Sequence, residues 1–133
     1  MTERHNEATP QRPDGTRVLD APLVDINLND FIKIIKEEPT WKDSDKNSIT
    51  VYKTDGLSVV LIALHRGAEL KRHTAAGIIT VQVLDGRIRF DTDEGSSEMG
   101  QGEMLALHER IPHAVFAMEE SVFLLTHAKP KTA

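Results

Sequence analysis

Between Asn27 and Pro39 the apolar side chains fall at Leu28, Phe31, Ile32 and Ile35, the i, i+3, i+4, i+7 spacing that gathers them on one helical face. The flanking residues agree with a helix over about residues 28–37. Asn27 can cap its first turn, and Asp30 puts negative charge where free amides point. Lys33 and Glu37 stand four apart for pairing, and Pro39 is expected to stop the helix. Trp41 follows directly and is expected to pin the helix to the rest of the domain. After Ser48 the period changes to two. Strands are expected from Ile49 to Lys53, Leu57 to Leu64, Ile78 to Leu84, Arg87 to Phe90, Glu103 to Leu107, Ala114 to Ala117 and Ser121 to Thr126. Shorter pieces are expected around Leu70 and Ser97. Asp55-Gly56 and Asp85-Gly86 read as tight hairpin turns, because these residues tolerate positive φ. Many short strands at such spacing imply a sandwich or a barrel.

The segment from Ile78 to Leu84 carries Ile79, Val81 and Val83 on one face, and Ile78, Thr80, Gln82 and Leu84 on the other. The first face is expected to line the inside of the domain. The second still carries apolar area and is expected to meet another sheet or a second copy of the chain, so a homodimer is anticipated. At 133 residues the chain has room for one core. The domain is expected over 48–128, preceded by an extension over 23–47 that contains the helix. Residues 1–22 hold Pro10, Pro13 and Gly15 with few apolar side chains and read as a disordered tail, and residues 129–133 as a carboxy-terminal tail.

Charge and composition narrow the chemistry. The formal net charge is −5 with both signs interleaved, so no basic face suggests nucleic acid or an anionic membrane as a partner. No cysteine occurs, which removes disulfides, thiolate zinc sites and a cysteine nucleophile. Histidines and carboxylates are left as candidate metal ligands, and the simplest reading of the location is cytoplasmic.

Two segments carry a family resemblance. The stretch Gly67-Ala68-Glu69-Leu70-Lys71-Arg72-His73-Thr74-Ala75-Ala76-Gly77-Ile78-Ile79, running on to Asp85-Gly86, resembles the first cupin motif. That motif has a glycine, a His-x-His, a glutamate and a second glycine. Gly67, His73 and Gly86 match, while Ala75 stands where the second histidine belongs and Ile79 where the glutamate belongs. The stretch from Gly102 through His108, Pro112 and His113 to Ala117 is similar to the second motif. There Gly102 and His113 match, whereas His108 replaces a proline, Arg110 a glycine and Ala117 an asparagine. The short gap between the motifs is like that of small single-domain bacterial cupins of the conserved-barrel type. The resemblance implies an all-β, double-stranded β-helix (jelly-roll) barrel with a short N-terminal helix. It leaves function open, because cupins include dioxygenases, isomerases, epimerases, sugar-binding sensors and storage proteins.

In metal-binding cupins three histidines and a glutamate point into the barrel. Here the resemblance leaves His73 and His113 as candidate ligands for a divalent transition metal (Fe, Mn, Ni or Zn), which two imidazoles would hold weakly. His65, His108 and Glu69 are conceivable third ligands. Strand parity places His73 and His113 inward with Ala75, Val115 and Ala117. With Ile79 and Val81, these apolar residues are expected to line an enlarged, dry pocket for an apolar or aromatic small molecule, with the imidazoles as polar handles. The leading expectation is therefore a small-molecule-binding cupin, and the alternative is a metal-dependent enzyme of dioxygenase or isomerase type with an incomplete histidine site. His5 and His127 are expected to be solvated, and the Asp91-Thr92-Asp93-Glu94-Gly95 run to be a hairpin tip rather than a calcium loop.

Overall fold

The computed structural model describes residues 4–5 and 17–130. Strand β1 (Arg4–His5) pairs antiparallel with β2 (Val18–Asp20). Helices α1 (Leu28–Glu37) and α2 (Pro39–Asp43) follow. Nine further strands complete the chain: β3 (Lys46–Lys53), β4 (Leu57–Leu64), β5 (Glu69–His73), β6 (Ile78–Asp85), β7 (Arg87–Thr92), β8 (Gly95–Gly100), β9 (Met104–Leu107), β10 (His113–Ala117) and β11 (Ser121–Ala128). They form a five-stranded sheet, ordered β3-β4-β11-β6-β9, and a four-stranded sheet, ordered β5-β10-β7-β8. Among the described residues no helix is long and apolar enough to cross a membrane.

Period-two alternation explains how the larger sheet is covered on both sides. From β4 and β11 the residues Ile62, Leu64 and Phe123 face the four-stranded sheet, together with Val81 and Val83 of β6 and Ile88, Phe90, Val115 and Ala117 across the gap. Their neighbours Leu61, Ala63 and Val122 face the other way and pack with Ile49 and Val51 against Ile35 and Trp41 of the helices. Ile35 is fully buried, and Phe31 and Ile32 flank it as the helical spacing predicts. Burying a side chain of this size is worth about 1.5–3 kcal/mol, so Ile35 and Trp41 hold α1 and α2 down.

The helix begins as expected: Asn27 Oδ1 accepts from the Asp30 amide at 3.2 Å. Its end differs. Glu38 is extended at ψ 148°, as a residue before proline prefers, and Pro39 then opens a second short helix instead of closing the helical region. The join is locked from below. Buried Asn47 donates to the Ile35 carbonyl and to the Glu38 carboxylate, both at 2.9 Å.

The amino-terminal boundary and one turn also need correction. Most of the tail expected over residues 1–22 lies outside the described residues, but Leu19, Asp20 and Ala21 are buried, so the ordered part starts before residue 23. Residues 131–133 of the expected carboxy-terminal tail also lie outside them. Asp55-Gly56 does join the paired strands β3 and β4. Asp85-Gly86 joins no hairpin, because β6 belongs to one sheet and β7 to the other. It is the corner at which the chain crosses between sheets. Gly86 has φ +85°, and a Cβ there would come within 2.2 Å of the Glu120 carbonyl oxygen and 2.8 Å of Ser121 Cα. A left-handed conformation and a backbone collision together leave room only for glycine.

Gly86→Ala is therefore expected to lower the unfolding free energy by about 2 kcal/mol or more in urea denaturation, whereas Gly56→Ala, where a Cβ meets open space, is expected to change it by less than about 0.5 kcal/mol. Equal effects of the two substitutions would contradict this account of the corner.

Candidate functional site

His73 ends β5 and His113 opens β10, and the antiparallel register sets them directly opposite one another. Parity alone would not do this. Leu70 pairs with Val115 in the core, yet three residues separate Leu70 from His73 while two separate Val115 from His113. The irregularity on the β5 side absorbs the extra residue and turns His73 back to the inner face. The two rings lie 4.3 Å apart between centroids, tilted by 60°. Phe90 of β7 stacks beside His113 at 5.3 Å and nearly parallel.

Each ring is held from behind by the carbonyl two residues earlier. His73 Nδ1 donates to Lys71 O at 2.7 Å, and His113 Nδ1 donates to Ile111 O at 2.9 Å. A carbonyl only accepts, so the neutral ring carries its proton on Nδ1 and leaves an Nε2 lone pair for a ligand. The rings differ in surroundings: His113 is 3% exposed, while His73 is exposed at the end of the barrel. Burial pushes the His113 pKa below its ordinary value of 6.5; the bond to Ile111 O opposes that shift, and charge on His73 adds to it.

Two loops frame this end of the barrel, residues 74–77 and 108–112, and the Arg110 amide ties them by donating to Ala75 O at 2.8 Å. Arg110 stands where the motif has glycine and keeps a glycine-like backbone, with φ +60°. A non-glycine residue there costs about 1 kcal/mol, so the loop's path is imposed by its surroundings.

The expected pocket lining takes a different role. Ile79, Val81, Val115 and Ala117 are at most 3% exposed and belong to the core cluster, and Ala75 packs against it. These side chains, expected to line a pocket, stand in the apolar cluster between the two sheets. Two of the openings among the described residues lie at the seams between the sheets. A cavity of about 350 Å³ opens beside β3 and β5, and one of about 230 Å³ lies between β8 and β9 next to Phe90.

The conceivable third ligands do not join the pair. His65 stacks on Trp41 at 3.5 Å and donates from Nε2 to the Trp41 carbonyl. Glu69 opposes Phe116, and His108 is exposed in its loop. Among the described residues no three histidines, aspartates or glutamates are placed to hold a metal ion. The donor set therefore does not fit a resident cupin metal. His127, expected to be solvated, is half-buried and accepts the Gly77 amide on Nε2 at 3.2 Å. Its alternation with Phe123 and Leu125 along β11 was the available signal that it faces inward. The side chain of His5 lies outside the described part of the structure. In the acidic run, β7 and β8 form a hairpin, and Asp91 accepts from Ser96 and Arg89, which hold its carboxyl below the usual range. Those bonds explain it as a hairpin tip.

Two face-to-face antiparallel sheets, a histidine pair at one end and a helix on the back define a cupin-type barrel. No protein-family model matches the chain, and no curated protein does. Solved structures do. A conserved protein of unknown function from Streptococcus pyogenes is 27% identical, with 68% of this chain and 79% of that one covered at a TM-score of 0.63. An RmlC-like cupin from Desulfovibrio desulfuricans is 25% identical, covering 67% of this chain and 87% of that one at a TM-score of 0.61. Salicylate 1,2-dioxygenase from Pseudaminobacter salicylatoxidans shares the fold at 14% identity, with 63% of this chain and 26% of that one covered at a TM-score of 0.59. The chain has the cupin fold and is similar to small bacterial cupins that share it. Structures of that fold include enzymes and proteins of unknown function alike.

With its pKa depressed, His113 stays neutral in the folded protein at pH values where the unfolded chain binds a proton. Stability is then expected to be flat above about pH 6.5 and to fall as pH drops below it toward the lower folded value. Urea unfolding of metal-free protein across pH 5 to 8 should show this slope. It should be shallower in His113→Asn, which keeps a donor near Nδ1 but does not titrate; an unchanged slope would assign the effect elsewhere.

Proposed function

We propose that the chain is a small-molecule-binding cupin whose ligand sits over the His73–His113 pair at the end of the barrel. The observation that carries this is the pair of Nδ1–carbonyl bonds, which present two Nε2 acceptors to a ligand's hydroxyl or N–H group. Phe90 beside His113 adds an aromatic wall. With only two imidazoles available, a metal at this place exchanges with solvent rather than residing, since stable protein sites supply three or four ligands. Freshly purified protein is expected to carry well under one transition metal per chain by elemental analysis. In a thermal-shift screen, small phenols and hydroxy acids that stabilise it by about 2 °C or more should lose their effect in His73→Ala.

A second reading is favoured by the same anchoring bonds, because metal-bound histidines are oriented by a partner on their other nitrogen. In that case the pair is the protein's share of a dioxygenase- or isomerase-like metal site, completed by substrate or water. Near-equimolar metal that is lost in both His73→Ala and His113→Ala would establish this reading and overturn the first.

The proposal includes a homodimer. The part of the five-stranded sheet that the helices leave uncovered exposes Ile78 and Met104, at 46% and 59%, beside Thr80, Gln82 and Ala106. Light scattering at micromolar concentration is expected to give twice 14.8 kDa, and Met104→Glu to halve it. A mass of one chain for the unaltered protein would remove this part.

A further inference from the structure

Along β5 from the histidine pair, the barrel is open on one side, between the edge of β3 and the edge of β5. The two edges belong to different sheets and do not pair, and the cavity of about 350 Å³ lies there, within the size range of small-molecule sites. Its lining divides by chemistry. Ile62 of the core and the half-buried Leu70 packed against it supply an apolar floor. Thr40 of α2, Ser44 just after its end and Ser48 of β3 supply hydroxyls at the rim. Ser48 and Ile62 are direct cross-strand partners, so a polar and an apolar group stand side by side on one face. Lys46 is the single charged residue of the lining.

The Lys46 ammonium is partly committed. It donates to Asp45 Oδ1 at 3.1 Å and, across the seam, to the Glu69 carbonyl at 3.2 Å. An ammonium has three N–H donors, so one remains for a ligand. The pair with Asp45 is at the surface, with the Asp45 side chain 58% exposed, and such pairs are weak enough for a second carboxylate to compete. Asn47 is spent on other work, because its amide holds the α1–α2 join. From these groups we infer that the β3–β5 seam is a second binding site, which takes a small monocarboxylate with an apolar body. The carboxylate meets Lys46 and the body rests on Ile62 and Leu70. Leu70 stands three residues from His73, about 10 Å along a strand, so this site does not depend on the histidine pair or on what that pair binds.

The test uses the full chain with benzoate as probe and benzamide as its uncharged counterpart. Trp41 is the single tryptophan and lies in α2 between Thr40 and Ser44, so its fluorescence reports on the seam. Benzoate is expected to shift the emission saturably with one equivalent bound by calorimetry, and benzamide to bind at least about tenfold more weakly, the usual loss when a charge-assisted hydrogen bond becomes neutral. Lys46→Gln is expected to weaken benzoate about tenfold, Ser48→Leu to abolish binding by filling the cavity, and His73→Ala to leave it unchanged. If Ser48→Leu does not fold, the surface substitution Lys46→Gln decides alone. The inference is overturned if benzoate gives no saturable signal, if benzamide binds equally well, if Lys46→Gln binds benzoate as tightly as the unaltered protein, or if His73→Ala removes binding.

Discussion

The five-stranded sheet carries apolar side chains on both faces along β4 and β11, and such a sheet is stable only if each face is covered. The four-stranded sheet covers the inner face and closes the barrel; α1, α2 and Trp41 cover the outer face over β3 and β4. Every other feature follows from this double cover. The helix at the start of the chain is the second wall of the domain, and this is why Asn47, beneath it, spends its amide on Ile35 and Glu38. Where the helices stop, the sheet's outer face is left with Ile78 and Met104 in solvent.

The inner face explains where binding chemistry can reside. Ile79 and Ala75 take up space in a barrel whose imidazoles remain, and they are packed with Val81, Val115 and Ala117 rather than set back from a void. The two proposed binding places are accordingly ones where packing stops, at the end of the barrel beside His73 and along a seam where edge strands of different sheets face one another. His113 sits at the border of the two regimes. Its ring is buried enough to lose charge, yet it touches a neighbour that is exposed.

Much of this was legible in the amino-acid pattern, for reasons that can be named. Period-two alternation and turn residues located nearly all the strands to within a few positions, and the i, i+3, i+4, i+7 set located α1. The motif spacing brought His73 and His113 together although they are distant in sequence. What escaped depended on contacts the sequence does not display. Asp85-Gly86 looks like a hairpin turn because local chemistry is the same whether the chain returns to its own sheet or crosses to another. The irregularity after Leu70 is invisible to parity, which would put His73 on the wrong face relative to Leu70. Pro39 stops one helix and starts another, a choice made by Trp41 finding a hydrophobic site one turn later.

Arg110 shows why the fold can be read so much more firmly than the function. The second motif needs a left-handed residue before His113, and the chain adopts φ +60° there with an arginine in place of the glycine. The bond from its amide to Ala75 O, the register of β10 against β5 and β7, and the anchoring of His113 on Ile111 together over-determine that backbone, so the conformation persists at some cost in strain. Ligand positions are under no such constraint. Ala75 and Ile79, at positions the first motif gives to histidine and glutamate, pack with the apolar cluster, and Ile79 keeps its place in the β6 ladder. The backbone pattern that marks the fold is thus held by the whole domain, while the groups that define an activity are held by themselves alone, and the two can part company in a single chain.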